Sequence, residues 1–340
     1  MAYIDDIIRV ATLDIPWEEL NGCNILVTGA TGLIGSCLID VLMAHPDKDY
    51  TVYACGRNER RMKRLFARYA NEQHFSCFLQ DVSKPLSSNT DFHYIIHAAS
   101  GAAPSEFSIH PVEVMKSNLL GVINMMEYGR EHHLKRFLYL SSGEVYGEGD
   151  GRVFTEDYSG YVDTMSTRSC YPSSKRAAET FCACYMSEYG INSVVARPCH
   201  IYGPNFTESD NRAFAQFIRN VINDEDIVLK SDGAQYRSWC YVVDCVSALL
   251  YILLYGKEGH AYNIADDNSV LSIRQLAEII AGIGKKQVVF TNPSDEEKRG
   301  FNIVKQSVYD TMKIRSLGWK VESDIRSKMK STIDYKLQVV

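Results

Sequence analysis

The 340-residue chain predicts a doubly wound parallel α/β sheet with a smaller α/β lobe at its C-terminal side. Two observations carry that expectation. Up to residue 198, apolar β-rich runs alternate with stretches of helical period, which argues for parallel strands joined by crossover helices. After "RPCHIYGPN" the alternation loosens into short strands, loops and helices such as "RAFAQFIRNVIND" and "SIRQLAEIIAGIG", as expected of a lobe covering a ligand cleft.

The strands fall at 24–28, 51–55, 75–79, 93–98, 136–141 and 192–197. Between them lie "LIGSCLIDVLMAH", "PVEVMKSNLLGVINMMEYGREHH" and "SSKRAAETFCACYMSEYG", each with apolar residues three and four apart. The first domain is expected over 20–198 plus 239–264, and the second, interleaved, over 199–238 plus 265–335. No internal repeat or low-complexity linker interrupts them.

Composition narrows the function. An apolar fraction of 46% suits a substantial core, and a net charge of −6 without a long basic tract argues against nucleic acid or a membrane surface as partner. Small molecules are the expected ligands. The opening "MAYIDDIIRVATLDIPWEEL" has acids where a secretory signal needs basic residues, and "CVSALLYILLYG" falls short of the roughly 18 apolar residues of a membrane span. Ten cysteines without CxxC pairs or nearby histidines fit reduced thiols in a cytoplasmic protein and no metal site. Cys182 and Cys184 are read as core.

Two motifs carry chemistry. In "NILVTGATGLIG", Gly29, Gly32 and Gly35 follow a strand and open a helix, where a tight turn, a backbone approach to a pyrophosphate and strand–helix packing each exclude a side chain. The helix N-terminus offers free N–H groups to phosphates, so a dinucleotide is expected there. The second strand ends in "VYACGRNERR", with no acid at Gly56, Arg57 or Asn58 to bind a ribose 2′-hydroxyl. Arg57 could pair with a 2′-phosphate, so NADP is favoured, with NAD as the alternative; Arg57, Arg60, Arg61, Lys63 and Arg64 also read as a solvated helix face. Asp81, in "LQDVSKP", is placed to reach the adenine or to cap its own turn.

In "SCYPSSKRAAE", Tyr171 and Lys175 are four apart at a helix start and share a face. Oxidising an alcohol needs a base for the hydroxyl proton, and a tyrosine beside an ammonium and a nicotinium is expected to have a depressed pKa. Ser142, ending the fifth strand, could hold the same hydroxyl.

With these motifs, the chain resembles the extended short-chain dehydrogenase/reductases, in the nucleotide-sugar epimerase/dehydratase branch. The similarity runs from about residue 22 to 330 through "GATGLIG", "HAAS", Asn118 in "KSNLLGVINMME", "SSGEVYG", "YPSSK", "RPCHIYGP", "RSWCYVVDC" and "LGW". The resemblance implies a Rossmann domain, a C-terminal lobe for a nucleotide-diphosphate sugar, and a homodimer. It implies oxidation of the sugar at C4, with Tyr171 as base and Lys175 and Ser142 in support. Dinucleotide contacts are implied at Gly29, Thr31, Gly32, Leu33, Ile34, Gly35, Arg57, Asn58, Asp81, Val82, Ala98, Ala99, Ser100, Asn118, Tyr171, Lys175 and Pro198.

Members of this branch diverge after that oxidation, and Glu144 bears on which path is taken. A 4-keto sugar acidifies the C5 proton, so a carboxylate there can drive loss of water from C6 or handle the enolate left when a C6 carboxylate departs. Glu144 resembles the residue of 4,6-dehydratases and glucuronate decarboxylases; dTDP-glucose dehydratases place Asp before it, where this chain has Gly143. "HAASGAAPSEF", including Ala102, is most similar to the decarboxylases, and Arg237 matches an arginine that contacts the diphosphate or the reacting carboxylate. The alternatives are a loop acid for Glu144 and, for Arg237, an ion pair with Asp232 or Asp244. His200 stands where the family has a substrate-binding Asn, and Arg212 matches a nucleotide-contacting base or a solvated helix-start arginine. A decarboxylase or 4,6-dehydratase is therefore expected, against a 4-epimerase or NADPH-consuming 4-keto-sugar reductase, and against a non-catalytic dinucleotide sensor.

Overall fold

The computed structural model describes residues 3–101, 104–292, 304–322 and 324–339. It begins with α1 (Tyr3–Ala11), β1 (Asn24–Thr28), α2 (Leu33–Ala44), β2 (Thr51–Gly56), α3 (Glu59–Leu65), β3 (Phe75–Leu79), β4 (Tyr94–His97), α4 (Pro104–Ile109), α5 (Pro111–Glu131), β5 (Arg136–Leu140), α6 (Cys170–Tyr189) and β6 (Ser193–Pro198). It continues with β7 (His200–Tyr202), α7 (Ala213–Ile222), β8 (Ile227–Leu229), β9 (Tyr236–Tyr241), α8 (Val242–Tyr255) and β10 (Ala261–Ile264). It ends with β11 (Val270–Ser272), α9 (Ile273–Gly284), β12 (Val288–Phe290), β13 (Gln306–Ser307), α10 (Met312–Arg315) and α11 (Ile325–Val339).

Seven strands form one parallel sheet in the order β10-β6-β5-β4-β1-β2-β3. The expected parallel α/β sheet is thus present, with β10 added as an edge strand. Parallel sheets are covered on both faces, and every residue of β4 is buried, as are four of the five in β1 and in β5. The strand order reverses between β1 and β4, which opens a crevice at the carboxyl ends of the strands. A smaller sheet is built on β9, which pairs with β7, β11 and β13, and β8 pairs with β12.

α1 is an element that periodicity did not single out. Tyr3, Ile7, Val10 and Ala11 are buried on the side of α2 and α8. Its polar positions are tied as well: Lys328 bonds Asp6 at 2.5 Å, and Arg9 bonds Asp244 at 3.0 Å. Cys182 is buried but Cys184 is exposed, which corrects the expectation that both are core; residues two apart on α6 point to different faces. Among the described residues, no helix is long and apolar enough to cross a membrane, and no group of three His, Cys, Asp or Glu could hold a metal ion.

Because the inner face of α1 belongs to the main core, Ile7→Ala is expected to cost about 2–5 kcal/mol in chemical denaturation. Ile8→Ala, on the exposed face, should stay within about 0.5 kcal/mol. Equal costs would show that α1 is a dispensable appendage.

Candidate active site

The β1–α2 turn is closed backbone to backbone. Gly29 has φ +65°, and a Cβ on it would lie 2.6 Å from the Ala98 carbonyl oxygen; one on Gly35 would lie 2.4 Å from the Gly29 oxygen. Gly32 stands before the first turn of α2, and no side chain caps that helix, so its first N–H groups point into the crevice unclaimed. This cradle of glycines around bare donors fits a dinucleotide pyrophosphate, with Thr31, Leu33 and Ile34 on the same loop. Thr28 Oγ1 ties the turn to the end of β4 by contacting His97 Nδ1 at 2.9 Å and accepting from Ala99 N at 3.2 Å.

At the end of β2, Arg57 is exposed, and Asn58 caps α3 by accepting from Arg61 N at 2.9 Å. Within that basic run, Arg61 is not left to solvent alone: its Nη2 donates to Thr31 O at 2.8 Å, reaching back to the glycine loop. Asp81 takes the turn-capping alternative, accepting from Ser83 N at 3.0 Å and Ser83 Oγ at 2.8 Å, and Val82 is buried beside it.

Across the crevice, α6 brings Tyr171 and Lys175 together. The Lys175 Nζ donates to Leu140 O at 2.7 Å and lies 5.6 Å from the Tyr171 ring centroid and 4.8 Å from that of Tyr139. Burial pushes its ammonium down to about 7, against the pull of Glu179. Tyr171 is buried and stacks on Phe107 with centroids 4.6 Å apart. Its phenol is pushed up to about 12, first by burial and then by the Glu144 charge, while hydrogen bonds with Ser142 and Ser100 act the other way. The expected depression is therefore not a property of the chain's own groups, because desolvation outweighs the hydrogen bonds of Ser142 and Ser100. Behind Tyr171, Ser100 Oγ donates to Asn118 Oδ1 at 2.7 Å and Asn118 Nδ2 donates to Ser174 Oγ at 2.9 Å.

Glu144 follows Ser142, whose Oγ accepts the Glu144 N–H at 3.2 Å. Both carboxylate oxygens are held by Arg168, at 2.9 and 2.7 Å, and the guanidinium carbon sits 4.8 Å from the Phe107 ring centroid. A bidentate pair of this kind fixes direction more than it adds stability, since both side chains are partly exposed. Arg168 stands immediately before the "SCYPSSKRAAE" stretch, and a basic residue three before Tyr171 is the local signal for it.

Arg237 is only 4% exposed. Its Nη1 and Nη2 donate to the carbonyls of Tyr236 and Val304 at 2.8 and 2.7 Å, and no carboxylate among the described residues lies within ion-pair distance. The expected alternative, a bridge to Asp232 or Asp244, is not present. His200 packs on Trp239 with centroids 5.3 Å apart, has a buried Nδ1 without a partner, and is held neutral by burial and by Arg237 and Arg212, its pKa near 3. Arg212 is partly exposed and pairs with Asp210 at 2.5 Å, and its charge is felt at Tyr171. Pro198 closes β6 at the same rim. Ala102 lies outside the described residues.

Folded Lys175 releases its proton near 7, whereas an unfolded lysine does so near 10.4, so the unfolded chain binds more protons in between and stability rises with pH across that window. Lys175→Met cannot titrate. Denaturation at about pH 6.5 and about pH 9 should therefore show the parent gaining stability relative to the variant at the higher pH. Identical pH slopes would contradict a buried, readily neutralised amine.

Comparison with known proteins gives the family and the fold. The NAD dependent epimerase/dehydratase family matches residues 25–265. UDP-glucuronic acid decarboxylase 6 of Arabidopsis thaliana is 32% identical over 310 residues, covering 89% of this chain and 85% of the relative. UDP-glucuronic acid decarboxylase 1 of Xenopus tropicalis is 28% identical over 322 residues, covering 94% and 73%. Among solved structures, dTDP-glucose 4,6-dehydratase from Streptomyces venezuelae with NAD and TYD bound superposes with TM-score 0.81 at 21% identity, covering 93% of this chain and 97% of that one. UDP-glucuronic acid 4-epimerase from Bacillus cereus, in complex with UDP-glucuronic acid and NAD, does so with TM-score 0.79 at 22% identity, covering 93% and 100%. The chain belongs to the NAD dependent epimerase/dehydratase family.

Proposed function

We propose that the protein decarboxylates a UDP-linked uronic acid through a 4-keto intermediate. The observation that carries this reading is Arg237, a buried guanidinium with no carboxylate within ion-pair distance among the described residues, whose charge interacts with Glu144 and Tyr309. Burying a cation is costly, and an anionic ligand, either the sugar carboxylate or the diphosphate, offsets that cost. The decarboxylase relatives, similar over most of the chain, support the same choice. A bound nicotinamide dinucleotide supplies a reversible two-electron acceptor for C4.

The chain's own groups then divide the work. Ser142 and Ser100 hold the Tyr171 oxygen, which, once ionised with the Lys175 charge beside it, takes the C4 hydroxyl proton as the phenolate while the alcohol is oxidised. The resulting ketone is β to the C6 carboxylate, so the C5–C6 bonding pair passes to the C4 oxygen as carbon dioxide leaves. The enolate must then gain a proton at C5, and Glu144, immobilised on Arg168, is the fixed acceptor that orients a proton donor toward that carbon. In the same reading the catalytic set is Ser142, Glu144, Tyr171 and Lys175, while His200, Arg212 and Arg237 line the nucleotide-sugar side. The exposed Val112, Met115 and Leu120 of α5 support a homodimer.

NADP is the favoured dinucleotide. Arg57 is exposed at the end of β2, no acid stands at residues 56–58, and Arg61 already reaches the glycine loop. Arg57→Ala should weaken NADP binding about tenfold or more, the loss of one charge-assisted hydrogen bond, and leave NAD binding within about threefold. Calorimetric titration with both dinucleotides checks this; equal losses would remove the preference.

Product mass after incubation with UDP-glucuronate, GDP-mannose and dTDP-glucose tests the reaction. Loss of carbon dioxide from UDP-glucuronate is expected, and Glu144→Gln should slow it by about 10²-fold or more. An unchanged mass with a new stereoisomer, or turnover only with added NADPH, would favour an epimerase or reductase instead.

A further inference from the structure

Gly143, between Ser142 and Glu144, is a position whose side-chain space is already taken. A Cβ built on it would lie 1.5 Å from the Tyr309 hydroxyl oxygen and 2.2 Å from Cζ of that ring. The phenol of a residue far along the chain thus projects where a side chain of residue 143 would stand. Tyr309 is buried, its N–H donates to Ser238 Oγ at 3.2 Å, and its hydroxyl accepts from Ser307 Oγ at 3.3 Å. The segment carrying it is anchored by β13, which pairs with β9 at Tyr236 and Arg237.

We propose that Tyr309 is a second catalytic phenol of this site, the neutral proton donor to C5 after carbon dioxide has left. The proposal rests on the decarboxylase reading. Three features of the site favour Tyr309 over the other candidate donors. Glu144 has both oxygens occupied by Arg168 and is poorly placed to carry a proton itself. Tyr171 is committed to the C4 oxygen through Ser142 and Ser100. Tyr309 is kept protonated by burial, with the Glu144 charge adding to the effect, so it enters the reaction as an acid at neutral pH.

The step balances without a further reactant. The enolate pair on C4–C5 forms the new C5–H bond, the Tyr309 O–H bond breaks, and the C4 carbonyl is restored. A ketone enolate is much the stronger base, so the transfer runs downhill. The phenolate left behind lies in the field of Arg237 and regains its proton from water.

Tyr309→Phe removes one hydroxyl and no ring atom, and the test is a single-turnover experiment with UDP-glucuronate. Reduced nicotinamide, followed by its near-ultraviolet absorbance, is expected at the parental rate and should then persist, while UDP-pentose formation falls about 10²-fold. Calorimetric binding of UDP-glucuronate and the thermal midpoint should match the parent. UDP-pentose formed at the parental rate would overturn the proposal, and so would equal loss of both stages, which marks a structural role. If the unmutated protein releases no carbon dioxide from UDP-glucuronate, the decarboxylase reading falls and this proposal with it.

Discussion

A lysine taken into the core is the constraint from which the site follows. Lys175 is almost fully buried, and its amine donates to the carbonyl of Leu140 at the end of β5. That bond locks the first turn of α6 onto the carboxyl end of the central sheet. Tyr171, one turn earlier, is thereby set beside Ser142, and the loop carrying Glu144 is fixed against the same helix. The energetic cost of burying the amine appears as a pKa brought down to about 7, which keeps it poised between charged and neutral. Strain of this kind is kept at a site and offset by the rest of the core.

The remaining electrostatics are arranged around one carboxylate. Glu144 is bound by Arg168 and raises the pKa of two buried phenols, Tyr171 and Tyr309, while the buried Arg237 guanidinium is held by the carbonyls of Tyr236 and Val304. Two neutral acids and a buried guanidinium around a fixed anion suit the proposed substrate, which brings negative charge and needs protons moved at adjacent carbons. The dinucleotide cradle is the opposite case. It is built almost wholly from backbone, so its specification lies in the absence of side chains at Gly29 and Gly35 rather than in charge.

Much of this was legible in order along the chain. Strands with period-two or continuous apolar runs and helices with period 3.6 announce themselves locally, so the parallel sheet and its crossovers were readable, with ends shifted by a residue or so. α1 was not, because nine residues of mixed sequence gain their meaning only from the grooves of α2 and α8 that receive them. Likewise Arg61 could be read as solvent-facing until the turn of the chain laid it against Thr31.

The sequence by itself determined the backbone chemistry: a glycine turn after the first strand, a tyrosine and lysine one helical turn apart, and Ser142 and Glu144 at a strand end. These are short-range facts, since each depends on residues within a few positions of one another. Tertiary structure alone decided what surrounds them. Arg168 clasps Glu144 across 24 positions of chain. Tyr309 fills the space above Gly143, and burial reverses the expected shift of Tyr171. Desolvation and steric occupancy depend on every neighbour at once, and no local pattern encodes them.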